Sequence, residues 1–496
     1  MSRGRSRHDE ARRLPMTEEP DARGRWLALY VLFAGVLMIV LDTTIVNVAL
    51  PSIREDLGFS ATSLVWVVNA YMLTFGGFLL LGGRLGDLFG HRRLFLAGIA
   101  LFTLASLGCG LAGSQAALIG ARAAQGLGGA VVSAVTLSLI MNLFTAEAER
   151  AKAMGVYGFV CAAGGSIGVL LGGLLTSALD WHWIFLVNLP IGVAVYALCR
   201  RLLPASDVRR RERRLDVAGA VAVTSAAMLA VYAIVDGNEA GFTSAQTIGL
   251  LGASSLLVAL FLAWEAQARS PLVPLRLFRS RTLVAANVVG VLWAAAMFAW
   301  FFISALYLQR VAGYDALGVG LAFLPANLAM AACSLGLSAK LVVRFGNRRP
   351  LVAGLVIAAA GLALFARAPL DARFAVDVLP AMLLLGFGAG VAFNPLLLAA
   401  MGDVAPSESG LASGAVNTSF MLGGALGLAI LASFAAARTG GALARGVGEA
   451  AALNSGYHLA FAIGAAFAVI AALVAAVWLR PGAATAERRR PAAAFD

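Results

Sequence analysis

Long apolar runs, divided by short charged or Pro/Gly-rich breaks, fill almost the whole chain. A helix needs about 20 predominantly apolar residues to cross the hydrocarbon core of a bilayer. Fourteen such runs can be marked, at roughly 26–50, 64–82, 94–113, 115–143, 153–179, 183–202, 216–236, 245–264, 282–309, 316–339, 350–366, 374–400, 410–436 and 457–479. None alternates with the period of two expected of a membrane barrel strand. With 60% of residues hydrophobic and 13% charged, the composition lies far from the roughly 45–50% and 25% of soluble domains. A cytosolic enzyme, a disordered chain and a disulfide-built secreted domain are excluded. The expected fold class is an all-α polytopic membrane protein.

The formal net charge of +12 would suit nucleic acid, so its placement matters. With the N-terminus placed in the cytoplasm, 31 of the 38 Lys and Arg fall in inside segments, six in outside loops, and Arg122 alone within a span. That asymmetry is a strong positive-inside signal and puts both termini in the cytoplasm. Basic loops against an anionic leaflet account for the charge, so no nucleic-acid partner is expected. The tail before Trp26 mixes signs and the first apolar run is long, so no cleavable signal peptide is expected. Cys109, Cys161, Cys199 and Cys333 lie in apolar spans without CxxC spacing and read as small buried hydrophobes. Arg outnumbers Lys 36 to 2, which suggests a GC-rich bacterial genome and a bacterial cytoplasmic (inner) membrane.

A shift of 256 residues aligns RLGDLFGHRRLFLAG (Arg84–Gly98) with KLVVRFGNRRPLVAG (Lys340–Gly354), with seven identities. Each copy falls between the second and third helices of a six-helix block. The implied order is a tail (1–25), a first bundle (26–202), a basic loop with two extra helices (203–265), a linker (266–281), a second bundle (282–479) and a tail (480–496). Repeats in the same orientation point to a transporter whose halves rock about a site near the midplane.

No nucleotide site is visible: a P-loop needs Gly-Lys-Ser/Thr, and both lysines follow alanine. No metal-ligand cluster or catalytic motif appears, so neither a cofactor nor a metal is expected and an ion gradient is the expected energy source. Asp42 and Arg122 are the ionisable residues well inside spans, and an intramembrane charge is a functional hypothesis by default. Asp42 is either a reversible proton carrier or half of a static ion pair with Arg122; a pair that opens on protonation is both. Arg122, Gln125, Gly126 and Gly129 share one helix face. Arg cannot itself titrate, so its role is to modulate a carboxylate or hold an anion.

At the cytoplasmic face, Asp87 sits among Arg84, Arg92 and Arg93, either as a latch made in one state only or as a solvated turn. The second copy carries Val343 where the acid would be. Gly164, Gly168 and Gly172, with Gly173 beside them, form a stripe that suits a hinge or tight packing. Asn47, Tyr71, Phe75, Gln125, Trp300, Phe323 and Asn327 are candidates for a substrate pocket, although each aromatic could equally pack in the core.

Taken together the motifs resemble the major facilitator superfamily, in particular its drug:proton antiporter branch with fourteen spans. LDTTIVNVALP (41–51) resembles that branch's first-helix motif, GRLGDLFGHRR (83–93) the superfamily loop motif, RAAQGLGGA (122–130) its fourth-helix motif, and WHWIFLVNLPIG (181–192) the entry to the sixth helix. The resemblance implies proton-coupled export of bulky amphipathic or apolar compounds by alternating access. It also implies proton handling at Asp42 aided by Arg122, and a latch at Gly83, Asp87, Gly90 and Arg92. Two positions depart from it: Val169 replaces the usual proline of the helix-five motif, and His182 stands where the branch shows arginine. The expected partners are the bilayer, protons and a small-molecule substrate, with a periplasmic adaptor if the host is Gram-negative. The alternatives are an importer or uniporter of a metabolite on the same fold, and a non-transporting sensor, which nothing in the motifs supports.

Overall fold

The computed structural model describes residues 22–144, 147–203, 216–268, 271–272, 275–401 and 409–479. The tails (1–21 and 480–496) and the basic loop 204–215 lie outside the described residues, as does the side chain of Asp87.

Among the described residues the chain is helical, with no strand. The first half comprises α1 (Ala22–Leu57), α2 (Trp66–Phe89), α3 (His91–Gly110), α4 (Gln115–Leu143) and α5 (Glu147–Ala178). A short turn, Trp183–Leu186, then leads into α6 (Asn188–Leu202). The pair α7 (Val217–Ala240) and α8 (Ala245–Gln267) follows. The second half begins with α9 (Arg281–Arg310) and α10, which runs over Ala316–Ala332 and on through a π turn at Cys333–Leu337 to Ser338–Phe345. It closes with α11 (Arg348–Phe365), α12 (Leu379–Met401), α13 (Ser409–Leu443) and α14 (Glu449–Trp478). Helix starts leave backbone N–H groups without intrahelical partners. Side chains of Ser114, Asp216, Ser244, Ser280 and Asp315 accept from them at α4, α7, α8, α9 and α10.

Fourteen spans are expected, whereas twelve helical segments among the described residues are long and apolar enough to cross a membrane. The other two positions are α5, whose apolar described stretch is Ile167–Ala178, and α10, whose apolar stretch is Ala316–Ala332 before the π turn. A second difference concerns α2. The expected span stops at 82, but the helix continues to Phe89, so most of the loop motif is helical and Gly90 (φ +91°) makes the turn. Its repeat partner Gly346 turns in the same way (φ +73°); a Cβ would strain this backbone at either position.

The repeat extends from sequence into packing. A Cβ on Gly98 would lie 3.1 Å from the Gly128 carbonyl oxygen, and one on Gly354 would lie 2.7 Å from the Gly388 carbonyl oxygen. Thus α3 packs on α4, and α11 on α12, through the repeat-related Gly98 and Gly354, each set against a glycine carbonyl of the next helix. Two seams join the halves, α2 with α13 and α5 with α10, each pairing a second helix with a fifth. Asn69 donates to the Ala425 carbonyl at 3.0 Å across the first seam. At the end that the charge pattern places outside, Gln309 donates to the Val48 carbonyl (2.9 Å), Arg310 pairs with Glu55 (2.8 Å), and Leu317 N donates to Ser177 Oγ (3.2 Å). The pair α7/α8 is attached at the α2/α13 seam, where α7 packs on both helices and α8 packs on α7.

Candidate functional site

Four helices of the first half converge on one carboxylate. Asp42 is carried by α1, Arg122 and Gln125 by α4 at i and i+3, Ser106 by α3, and Asn188 opens α6. Arg122 Nη1 lies 2.5 Å from Asp42 Oδ2. Gln125 Nε2 donates to Asp42 Oδ1 at 2.7 Å, and Asn188 Nδ2 donates to the same oxygen at 3.2 Å. The guanidinium is held on its other sides, with Nε donating to the Val67 carbonyl (2.8 Å) and Nη1 to Gln125 Oε1 (2.6 Å). Its carbon lies 4.5 Å from the centre of the Tyr71 ring. Gln125 Nε2 also donates to Ser106 Oγ at 2.8 Å.

Asp42 and Arg122 are 0% and 1% exposed, so solvent does not screen the pair. A buried pair adds little net stability, but removing one partner strands the other charge at a cost of about 3–5 kcal/mol. Both carboxylate oxygens here accept hydrogen bonds. This is an acid whose charge is balanced by one fixed cation and whose release would free contacts on α4 and α6 together.

The remaining candidates separate into groups. Tyr71 belongs to the charge cluster through Arg122 and stacks on Phe75 (5.7 Å between ring centres). Gln125 is spent on the cluster and is fully buried. The Asn47 amide donates to the Thr43 and Thr44 carbonyls of its own helix. In the second half, Phe301 and Phe323 stack at 5.5 Å, and Trp300 packs against both. Asn327 follows Phe323 by one turn and is 1% exposed. Asn188 and Ser106 were not singled out from sequence. Asn188 lies within the motif at 181–192, but spacing gives no sign that it meets Asp42.

At the other end of α2, Arg84 donates to the Pro271 carbonyl, and Arg92 donates to the Arg200 carbonyl at 2.5 Å. Arg93 is exposed, and among the described residues a Cβ at Gly83 would meet nothing within 4 Å. The helix-five glycines face two ways. Cβ atoms on Gly164, Gly168 and Gly172 would press on Val40, the Leu41 carbonyl (2.9 Å) and the Ile45 carbonyl (2.6 Å) of α1, whereas one on Gly173 would press on the Ala316 carbonyl of α10 (2.6 Å). An apolar crevice between α1 and α6, lined by Tyr30, Ala34, Ile191 and Leu198, shares no residue with the Asp42 cluster.

Residues 32–428 match the profile of the Major Facilitator Superfamily. The chain belongs to this superfamily. It is 40% identical to the puromycin resistance protein pur8 of Streptomyces alboniger over 461 residues, covering 92% of this chain and 91% of that one. It is 38% identical to the cephamycin export protein CmcT of Amycolatopsis lactamdurans (84% and 86% covered). Identity to the tetracenomycin C resistance and export protein of Streptomyces glaucescens is 33% (87% and 80% covered). Among solved structures, an auto-inhibited peptide transporter of the POT family superposes with a TM-score of 0.66 at 17% identity, covering 96% of this chain and 98% of that one. The nucleoside transporter NupG superposes with a TM-score of 0.64 at 12% identity (92% and 100% covered). These two show the fold alone. The family and these relatives are transporters, and this major facilitator protein is a multi-pass membrane protein of the efflux type.

Proposed function

We propose that this efflux transporter is a proton antiporter in which Asp42 carries the coupled proton. The observation that carries the reading is the buried Asp42 carboxylate, bonded at once to Arg122, Gln125 and Asn188. Protonation removes the charge that Arg122 faces and turns an acceptor-only group into one with a donor. Arg122 keeps its bonds to Val67 and Gln125, so α1 is the helix released. Because α1 packs on α5 and touches α9, its release reaches both the glycine seam and the second half.

Protons enter from outside and protonate Asp42, a state incompatible with holding substrate; deprotonation inside restores the paired state and with it the affinity for substrate. Each charge moved across the membrane is worth about 2.3 kcal/mol per 100 mV, or roughly a 40-fold substrate gradient. No bound cofactor is required, since the gradient supplies the work. The membrane is the bacterial inner membrane with both termini cytoplasmic, and in a Gram-negative host a periplasmic adaptor would take up the exported compound. The substrates are amphipathic or apolar small molecules, a reading supported by antibiotic exporters among the relatives.

The experiment is puromycin accumulation in a sensitive host. Cells carrying the wild type should hold several-fold less drug, and an uncoupler or Asp42→Asn should abolish the difference. Higher accumulation in wild-type cells would favour an importer, and insensitivity to the uncoupler would remove the proton from the mechanism.

A further inference from the structure

The α5/α10 seam is closed at one end and open one turn further in. On α5, Gly165, Val169 and Gly173 recur every four residues; on α10, Ala316, Gly320, Phe323 and Asn327 recur at i, i+4, i+7 and i+11, so each set occupies one helix face. The helices run antiparallel, and the outer pairs touch. A Cβ on Gly173 would lie 2.6 Å from the Ala316 carbonyl, and one on Gly320 would lie 3.0 Å from the Val169 carbonyl. Val169, where the family motif has proline, thus uses its backbone to receive Gly320. At the next turn the seam leaves a local gap: Gly165 is buried, yet a Cβ there would meet nothing within 4 Å among the described residues, and α5 meets α10 again at the π turn.

Phe323 and Asn327 continue the α10 face that Ala316 and Gly320 begin, toward that gap. Neither Nδ2 nor Oδ1 of Asn327 has a protein hydrogen-bond partner, although the residue is 1% exposed. The same is true of Trp300 Nε1, whose ring lies 6.0 Å from that of Phe323. Buried amides without partners are rare enough in native proteins to require a reason. A substrate that completes them supplies one.

We propose that the gap between Gly165 and Asn327 is a substrate subsite for an uncharged group that has both a hydrogen-bond donor and an acceptor. A primary or secondary amide, or a hydroxyl near a carbonyl, on an otherwise apolar molecule fits this description, and Asn327 is the specificity-determining residue. The amide offers one acceptor and two donor hydrogens, Trp300 offers a further donor, and Phe301 and Phe323 supply apolar faces. The subsite carries no charge of its own; Asp42 and Arg122 are bonded to each other. The inference rests on the transport reading above and names the substrate class for it.

Puromycin and chloramphenicol, both amide-bearing, serve as probes in direct binding to purified wild type, Asn327→Leu, Asn327→Gln and Gly165→Leu, with melting temperatures measured in parallel. Asn327→Leu and Gly165→Leu should weaken binding at least roughly tenfold, as when a polar group built for a ligand is lost, with Asn327→Gln in between. Asn327→Leu should melt no lower than wild type, because it deletes a buried amide that has no protein partner. Unchanged binding by Asn327→Leu would overturn the proposal. So would a melting point at least about 5 °C lower, which would make the amide structural. Wild type that binds neither probe would overturn the substrate class. Wild type that binds puromycin but moves no protons on adding it would sink the antiport reading and leave this subsite standing.

Discussion

At the scale of single residues the account depends on one carboxylate and the groups that hold it. Asp42→Ala should destabilise the purified protein by about 3–5 kcal/mol, because the Arg122 charge stays buried without its counterion. Asp42→Asn keeps the shape and should lose less. The double change Asp42→Asn/Arg122→Gln should recover stability, since no charge remains, but not coupled transport; thermal melting in detergent with a parallel flux assay checks both halves of this statement. A double variant that still pumps would make the pair structural. The two ends of this pair were legible in the sequence, because charges are so rare in apolar runs. Asn188 and Ser106 were not, because small polar residues cost little in a span and their partners are set by how α3 and α6 pack.

At the scale of helices, glycine placement sets how closely α1 and α5 approach. Gly172→Val puts side-chain atoms against the Ile45 carbonyl, 2.6 Å from the ideal Cβ. Backbone cannot yield as a side-chain tip can, so overpacking of about 1–3 kcal/mol is expected, with export lost. Gly252→Val on α8, where a Cβ would meet open space, should leave melting and export unchanged. Gly90→Ala should cost about 1–3 kcal/mol through its backbone conformation alone; equal melting of variant and wild type would contradict that. Helix number and order were largely legible because hydrophobic length is a bulk property. The ends were not. The charged residues of 83–89 read as a loop, yet α2 carries them to Gly90, and the π turn in α10 has no marker in its apolar sequence.

At the scale of the molecule, the 256-residue repeat announced two halves, and the glycines its copies share recur at the same turn (Gly90 and Gly346) and at the same kind of helix contact (Gly98 and Gly354). The seams between the halves were hidden, because they pair residues as distant as Asn69 and Ala425 that no local pattern links. Alternating access requires the outer ends to part. Cysteines at Glu55 and Arg310, which pair across that end, should therefore block efflux when joined by a short cleavable cross-linker and restore it on cleavage. Full efflux in the cross-linked protein would rule out that opening. The central claim, that substrate leaves in exchange for a proton carried at Asp42, is tested most directly by internal pH in proteoliposomes under an imposed proton gradient as puromycin is added. The account predicts substrate-evoked proton movement in wild type and none in Asp42→Asn; movement of the same size in the variant would contradict it.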